Sequence, residues 1–327
     1  MFNLAAVILS SIIYLMSPSS VKDLSVLERA SRLGVQEICI NDFFLADSTG
    51  AVTDFYRLRG ASNSDFVRFS KAARRKGIKL RTPFNPRYTS TSHPWFQQSM
   101  QADSELVFSN FYFWKDTLTQ ADGTGWALAD APRAKYYRND GLPGQAALNL
   151  EDRSDTSAVL REFANIRFFW AGKGLTLGDE PLPVCSWPHA PVDSATTQYK
   201  KIKLVHTMTQ PIAVIEEGDE DGLDDFSASL IRFRRKNPAF HKNGSFTDLS
   251  GNGAIAYSRS DSGQSFLVVI NPGQNKIHFS LKGIAPVGSR PVPVLSEGRA
   301  HFNAGKGTDS VNLDFSLGAT SLVILKL

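Results

Sequence analysis

The pattern of apolar and polar residues predicts strands that alternate with helices in the first part of the chain. Residues 1–16 form an apolar run without any charge, as a buried parallel strand does. Two shorter apolar runs, VQEICI and IKLRTPF, each follow a segment with helical spacing that ends in glycine, VKDLSVLERASRLG and SNSDFVRFSKAARRKG. Because such alternation implies parallel pairing, we predict an α/β barrel or an open parallel sheet.

This alternation stops at about 85–150, where aromatic residues, glycine and proline are frequent and no period is sustained. We interpret that segment as an insertion after the third strand; in barrels such insertions lie at the active face. Helical patterns return from TSAVLREFANIRFFWAGKG to DDFSASLIRFRRKN, and from residue 238 short apolar strands are separated by turn residues. The chain is therefore predicted to contain an α/β domain, 1–237, and an antiparallel β-sandwich, 238–327.

Composition and charge are those of an ordinary globular protein. Of 327 residues, 42% are hydrophobic and 21% are charged, and the net charge of +4 is spread along the chain. Because basic residues and aromatic residues are not interleaved in a stripe, we predict no nucleic-acid partner. The six histidines lack zinc-binding spacing, the phosphate-loop motif does not occur, and the acidic stretch 218–225 does not fit an EF-hand. We therefore predict no metal and no small-molecule cofactor.

The amino-terminal run and the cysteines bear on the location of the protein. Residues 1–16 are shorter than the about 20 residues of a membrane-spanning helix and lack the basic start of a secretory signal. A buried strand and the remnant of a signal or anchor both remain open. Cys39 and Cys185 lie in separate apolar runs and are predicted to be buried free thiols. A glycosylation sequon at Asn243 fits an extracytoplasmic location.

Several motifs resemble those of one enzyme family. They are TSTSHPWFQQS, FYFWKD, ALNLEDRS, IRFFWAGKG and MTQPIAVIEEGDEDGLDD. Together they resemble glycoside hydrolase family 13, the α-amylase and α-glucosidase group, over nearly the whole chain. Within it the sequence looks closest to the heavy chains of heteromeric amino-acid transporters, to which CSWP before a helix is similar. The resemblance implies a TIM barrel with a domain inserted after strand three and a carboxyl-terminal β-sandwich.

The resemblance also implies where sugar-binding and catalytic residues should lie, and other residues occupy those positions. Retaining glycosidases need two carboxylates about 5–5.5 Å apart, one as nucleophile and one as acid/base. The family's positions are taken here by residues that cannot perform these roles or bind the sugar in the same way: Gly50, Ala51, Pro83, Arg87, Tyr88, Asp179, Pro181, Pro188, His189 and Ala190. The strand that carries the acid/base glutamate is missing. We therefore predict a non-catalytic relative.

The barrel is also predicted to be incomplete. LTLGDEPLPVCSW has 13 residues, too few for two parallel strands joined by a helix. About six strands are then present where a TIM barrel has eight, so the barrel should be open or distorted. A natural shortening and an incompletely joined coding sequence would both give such a chain.

Three functions follow as hypotheses. The first is a partner of a membrane amino-acid transporter light chain, acting by protein contact at the plasma membrane or outside the cell. The second is an α-glucosidase with relocated carboxylates, whose candidates are Asp179, Glu180, Glu216, Glu217, Asp219 and Glu220. The third is a carbohydrate-binding remnant that stacks sugars on Trp95, Trp114 or Trp126.

Overall fold

The computed structural model describes residues 12–101, 108–151, 157–179, 196–307 and 309–327. The helices among them are α1 Ser25–Arg32, α2 Asn63–Arg75, α3 Pro94–Ser99, α4 Ala158–Ala171, α5 Thr197–Thr209 and α6 Asp224–Lys236. Short 3-10 turns cover Pro18–Lys22, Gln120–Asp122 and Pro238–Phe240. None of the helices in the described part of the chain has the length and apolarity that crossing a bilayer requires.

Strands come in two groups along the chain. The earlier group is β1 Ile12–Met16, β2 Glu37–Ile40, β3 Phe44–Ala46, β4 Val52–Leu58, β5 Lys79–Pro83, β6 Tyr88–Ser90, β7 Trp114–Lys115, β8 Trp126–Leu128, β9 Tyr136–Arg138, β10 Gln145–Ala147, β11 Leu175–Gly178 and β12 Ala213–Glu216. The later group is β13 Ser245–Asp248, β14 Ile255–Asp261, β15 Gln264–Asn271, β16 Ile277–Pro286, β17 Val292–Glu297, β18 Ala300–Lys306, β19 Ser310–Leu317 and β20 Ser321–Lys326.

The described residues form two compact units, of which the first contains 12–15, 28–37 and 196–327. In it β1 pairs in parallel with β12, with Ile12 opposite Ala213. The carboxyl-terminal strands form two antiparallel sheets, in the orders β13-β14-β15-β20-β17 and β16-β19-β18. Leu267, Phe279 and Leu325 belong to one buried apolar cluster that takes residues from both sheets. These two sheets therefore share one hydrophobic core.

The second unit contains 16–27 and 38–179. Its strands β11, β5 and β2 are neighbours in that order, and β11 pairs in parallel with β5. Helix α2 precedes β5 and helix α4 precedes β11, as the apolar periodicity predicts. Ser62 caps α2 through a capping box with Asp65, and Ser157 caps α4. Serine at these positions satisfies backbone N–H groups that the first helical turn leaves unpaired.

The described part of the segment 85–150 consists of short elements. It contains the pair β6 and β10, the helix α3, and a three-stranded sheet in the order β7-β9-β8. His93 caps α3: its Nδ1 accepts a hydrogen bond from the backbone N of Trp95 at 3.1 Å. Burial lowers the pKa of His93 to about 4, so the imidazole is neutral at physiological pH. Its place in the family motif is therefore structural in this chain.

Several details differ from the sequence expectations. The first predicted helix begins only at Ser25, and Leu24, expected on its buried face, is 39% exposed. The hairpin β3–β4 and the strands β13 and β18 were not predicted. Within the amino-terminal run 1–16, predicted as a strand, residues 12–16 form a strand, and Cys39 is buried as predicted. Residues 1–11 and Cys185 lie outside the described residues.

Candidate functional site

The carboxyl ends of three strands of the second unit open into one cavity of about 410 Å³. Asn41 and Asp42 follow β2, Phe84 follows β5 and Asp179 follows β11, and all four line the cavity. Barrel enzymes and open α/β sheets carry their ligands at the carboxyl ends of parallel strands, since the loops there are free to vary. This cavity is therefore the candidate site.

Three residues at the predicted family positions line this cavity: Gly50, Pro83 and Asp179. Gly50 lies in the turn between β3 and β4 with φ +85°, a conformation that glycine adopts without strain. The carboxylate of Asp47 holds that turn by accepting hydrogen bonds from the backbone N atoms of Thr49, at 2.9 Å, and Ala51, at 3.2 Å. Ala51 is buried, and its side chain presents no polar group for a sugar.

Arg87 and Tyr88 lie outside the lining of the cavity. The Tyr88 hydroxyl donates to Asp140 Oδ2 at 2.9 Å, and this hydrogen bond raises the pKa of Tyr88. The carbonyl of Arg87 accepts from the backbone N of Leu148 at 2.9 Å. Both residues thus hold the inserted segment together. The resemblance aligns Arg87 and Tyr88 with the family's sugar-binding Asn-His pair, but neither residue lies at the cavity.

Asp179 is fixed by Arg167 of α4. Arg167 Nη2 contacts the Asp179 carboxylate, while Nη1 donates to the carbonyl of Leu177 at 2.6 Å. The guanidinium also lies 4.9 Å from the centroid of the Phe84 ring. The side chain of Asp179 is 81% exposed. Asp179 is therefore an exposed carboxylate at the mouth of the cavity, held by one arginine.

Phenylalanine rings form one part of the cavity wall, beside polar residues such as Asn41 and Asn85. Phe44 meets Phe55 edge to face with ring centroids 5.3 Å apart, and meets Phe84 in the same way at 5.6 Å. Thr82 also lines the cavity, but its hydroxyl donates to the carbonyl of Ile40 at 2.7 Å. The Thr82 hydroxyl therefore links β5 to the neighbouring strand β2. Phe44, Phe84 and Pro83 thus give the cavity an apolar side.

Sequence reasoning missed two charged residues of the cavity, Asp42 and Arg59. Asp42 directly follows the apolar run of β2, at φ +47°, so a strand-end search would have found it. Arg59 follows β4, which is paired with β3 in an unpredicted hairpin, and its backbone N donates to the carbonyl of Phe43 at 2.9 Å. Asp42 and Asp179 are the acidic residues among the described residues that line the cavity.

Four other candidate carboxylates lie at the end of β12 and in the turn after it, within the first unit. Lys203 Nζ bonds both Glu216 and Asp219 at 2.8 Å. Arg29 lies 3.7 Å from Glu217 and 3.7 Å from Glu220. All four are thus engaged by cations.

Glu220 is the most buried of these carboxylates. Its side chain is 0% exposed, and its Oε1 accepts a hydrogen bond from the Tyr14 hydroxyl at 2.6 Å. Burial raises the pKa of Glu220 despite this donor, and burial together with the carboxylate raises the pKa of Tyr14. The contact joins β1 to the turn that follows β12.

The three tryptophans differ in their surroundings. Trp95 is 5% exposed and packs among rings that include Phe55, at 5.2 Å. Trp114 stacks on Phe96 and lies 4.2 Å from the guanidinium of Arg133. Trp126 is half-buried, with Lys115 Nζ 4.9 Å from its ring centroid. Trp95 is thus a core anchor, whereas Trp126 keeps some exposed ring surface.

Several predicted residues lie outside the described residues: Glu180, Pro181, Pro188, His189 and Ala190. Asn243 is exposed in a turn ahead of β13. In the part of the chain that the structure describes, no group of three or more His, Cys, Asp or Glu residues could hold a metal ion.

Comparison with solved structures gives the fold. A trehalulose synthase superposes with a TM-score of 0.71 at 15% identity, over 97% of this chain and 99% of its own. The isomaltulose synthase of Klebsiella sp. LX3 superposes with a TM-score of 0.70 at 13% identity, over 100% of both chains. The chain has the glycoside hydrolase family 13 fold. These solved structures are TIM-barrel enzymes with additional β-sheet domains. The predicted α/β class, with β-sheet domains, is therefore confirmed.

Comparison with curated proteins gives two kinds of relative. The alpha-glucosidase of Culex pipiens is 31% identical over 136 residues, which are 38% of this chain and 22% of its own. The trehalose synthase/amylase TreS of Mycobacterium tuberculosis is 29% identical over 158 residues, 44% of this chain and 25% of its own. The amino acid transporter heavy chain SLC3A1 of Rattus norvegicus is 29% identical over 168 residues, 46% of this chain and 23% of its own.

The family-13 resemblance and the similarity to a transporter heavy chain are both confirmed by these alignments. No protein-family profile matches the chain. The chain spans only about a quarter of the length of these relatives, with shares of 22%, 25% and 23%.

Proposed function

We propose that the protein is a non-catalytic family-13 relative that acts through protein contact, in the manner of a transporter heavy chain. The observation that carries this proposal is the composition of the cavity at the strand ends. Gly50 and Pro83, at positions that the resemblance assigns to sugar binding, line the cavity, and the acidic residues of the described lining, Asp42 and Asp179, are both exposed. A glycosidase needs one ionised and one protonated carboxyl group, set by different environments.

The assay that tests this proposal is hydrolysis of a chromogenic α-glucoside by the purified chain. We expect no release of the chromophore above that of a doubly substituted control, Asp42→Asn with Asp179→Asn. Turnover that disappears in this control would overturn the proposal, because it would identify the two cavity carboxylates as the catalytic pair.

The second candidate function is an α-glucosidase, and two observations favour it. Asp42 and Asp179 line one cavity, and one relative carries the name alpha-glucosidase. Single substitutions separate the roles: loss of Asp179 should abolish turnover if it is the nucleophile, whereas loss of an acid/base spares substrates with good leaving groups. Inactivity of the wild-type chain removes this candidate.

The proposed contact partner is a membrane amino-acid transporter light chain. The surface of α4 offers an apolar contact, because Phe168 is 83% exposed and Leu160, two turns earlier on the same face, is 38% exposed. Co-expression with a light chain, followed by co-purification in detergent, tests the partner. We expect Phe168→Ser to reduce co-purification and Leu128→Ser, at a site 62% exposed elsewhere, to leave it unchanged. Failure of the wild-type chain to co-purify would count against the proposal.

We further infer an incomplete barrel, a carboxyl-terminal sandwich and a location outside the cytoplasm. Support for the first is that, among the described residues, parallel pairs join β1 to β12 in the first unit and β11 to β5 in the second, whereas a TIM barrel has eight parallel strands. Support for the sandwich is the apolar cluster shared by the two antiparallel sheets. The boundary at 237/238 falls where α6 ends. For the location, exposure of Asn243 permits glycosylation, and a mobility shift on glycosidase treatment of the secreted or surface chain checks it.

A further inference from the structure

A second cavity, of about 470 Å³, lies at the opposite ends of the same strands of the second unit. It is bounded by the last two turns of α2, by the turn between α4 and β11, and by the amino ends of β5 and β11. The register places Leu80 opposite Leu175, so the residues that precede them, Lys79 and Gly174, meet at the same edge. We call it the basic cavity, because Lys71, Arg74, Lys79 and Lys173 line it. It is separate from the candidate site, which lies at the carboxyl ends of β5 and β11.

The position of the α4–β11 turn is fixed by a close approach to α2. Ser70 Oγ donates to the carbonyl of Lys173 at 2.7 Å, and the next residue, Gly174, has φ +86°. A Cβ at residue 174 would collide with Ser70 Oγ, so glycine is required for the approach. The cavity is thus shaped by a hydrogen bond and a glycine rather than by mobile surface side chains.

Four cationic side chains line the basic cavity: Lys71, Arg74, Lys79 and Lys173. Lys71 and Arg74 lie on one face of α2, together with Ser70, because residues three and four apart are neighbours on a helix. No aspartate or glutamate of the described residues lines the cavity, and no carboxylate among them forms an ion pair with any of the four. The described lining therefore carries about four positive charges that are not balanced nearby.

Helix dipoles explain only part of this charge. Cations in the last turn of a helix complement its carboxyl-terminal partial charge of about −0.5. Arg74 and Arg75 are both in the last turn of α2, so one of them could serve that purpose. Lys79 begins a strand, Lys173 lies after α4, and Lys71 precedes the last turn. Lys173 Nζ lies 3.4 Å from the centroid of the Phe169 ring. Lys71, Arg74 and Lys79 are therefore the cations that exceed what the helix ends require.

We propose that the basic cavity binds a small molecule that carries phosphate, with at least two negative charges. Lysine and arginine bind phosphate oxygens as point charges and as a planar fork respectively. The hydroxyls of Ser70 and Thr176 line the same space, together with the apolar side chains of Val67 and Leu80. The volume lies in the range of roughly 300–1,000 Å³ that small-ligand sites occupy, so an organic body fits beside the phosphates. A soluble phosphate ester and a phosphoinositide headgroup share this chemistry.

Titration calorimetry on the full chain tests the proposal, with fructose 1,6-bisphosphate as the probe and fructose as its neutral counterpart. Sodium sulfate at matched ionic strength measures general screening. We expect the bisphosphate to bind and fructose not to bind. In a second arm, vesicles of phosphatidylcholine with phosphatidylinositol 4-phosphate are compared with pure phosphatidylcholine. Binding in this arm alone assigns the site to a lipid headgroup, and binding of the soluble ester alone assigns it to a free metabolite.

The matched pair of variants is Arg74→Gln and Arg75→Gln. Both remove one charge from the same helix end, and only Arg74 lines the cavity. We expect Arg74→Gln to weaken binding at least tenfold, since a hydrogen bond between charged groups is involved, and Arg75→Gln to weaken it less than twofold. Lys79→Gln, outside the helix, should reproduce the effect of Arg74→Gln. Equal weakening by the two arginine variants, equal binding of fructose, or no binding in either arm would overturn the proposal.

Discussion

Gly174 illustrates how one residue controls the shape of the second unit. Its φ of +86° favours glycine, and an added Cβ would meet Ser70 Oγ, whereas Gly77, at φ +70°, has open space around it. We expect Gly77→Ala to lower the free energy of unfolding by about 1 kcal/mol through the left-handed backbone alone. Gly174→Ala should cost about 1–3 kcal/mol more because of overpacking. Urea unfolding measures both, and equal losses would contradict the close approach.

Glu220 makes stability depend on pH in a direction opposite to that of most carboxylates. Because burial raises its pKa in the folded state, folding takes up a proton. Its contribution is fully present below the unfolded pKa of about 4.3 and is lost as pH rises through the higher folded value.

The Tyr14 hydroxyl opposes this loss, since it donates to the ionised carboxylate. We therefore expect Tyr14→Phe to make the loss of stability between pH 4 and 7 steeper, and Glu220→Gln to flatten it. Urea unfolding at several pH values gives the slopes. Parallel curves for wild type and Tyr14→Phe would show that the hydroxyl does not support the anion.

At the level of single residues, the sequence predicted part of the candidate site. The sequence predicted Gly50, Pro83 and Asp179 because the spacing of the motifs indicates which residues follow each strand. The same spacing predicts Arg87 and Tyr88 at the site. In the structure they bond to other residues of the inserted segment, whose short strands the sequence does not predict. Arg59 could not be found, because its position depends on the pairing of β3 with β4.

At the level of elements, two arginines of the first unit donate to the carboxyl end of α5, one from a carboxyl-terminal strand and one from α6. Arg259 of β14 is 0% exposed, and its guanidinium donates to the carbonyls of Thr209 at 2.8 Å, His241 at 2.7 Å and Ser245 at 2.9 Å. Arg234 of α6 donates to Met208 and Gln210 at 2.8 and 2.6 Å. The carboxyl end of α5 thus receives two cations, which complement its dipole.

We expect Arg259→Lys to destabilise the first unit by about 3 kcal/mol. One ammonium group cannot reach carbonyls on three sides, so buried acceptors and a buried charge lose their partners. Arg290→Lys, at an exposed position, is the control and should stay within about 0.5 kcal/mol of wild type. Thermal unfolding compares the two. A small effect at Arg259 would mean that water replaces the guanidinium.

Elements with an apolar face were predictable, and elements without one were not. The helices α2, α4, α5 and α6 were found because their buried residues recur at helical spacing. All four residues of β13 are exposed, so that strand has no apolar alternation to detect, and only its pairing with β14 reveals it. Strand β18 contains glycine and asparagine, which lower strand propensity, and it is held by its ladder with β19.

At the scale of the whole molecule, the fold and the site have diverged at different rates. Superposition at a TM-score of 0.71 accompanies only 15% identity, because many apolar sequences satisfy one packing pattern. Ligand binding in a cavity depends on individual polar groups. Replacing a few of them would abolish sugar binding and leave the hydrophobic core unchanged. Fold similarity therefore supports an architecture here, and the function must be argued from the cavity.

If the protein is a non-catalytic relative, as we propose, an α-linked disaccharide should not stabilise it. A ligand that binds only the folded state at a hundred times its Kd adds about 2.7 kcal/mol, so a millimolar sugar site would raise Tm measurably at about 100 mM maltose. We expect maltose and cellobiose to shift Tm equally, since both then act only as co-solutes. Cellobiose is the matched control because it differs from maltose in one linkage.

A rise in Tm specific to maltose would be assigned by two variants. If Asp42→Asn abolishes it, the strand-end cavity still binds sugar and the non-catalytic proposal loses its main support. If instead Trp126→Ala abolishes it, the half-buried ring of the inserted segment is a stacking platform, and the cavity remains empty of sugar. The distinction is physical: one variant removes a polar group at the strand ends, and the other removes an apolar face far along the chain.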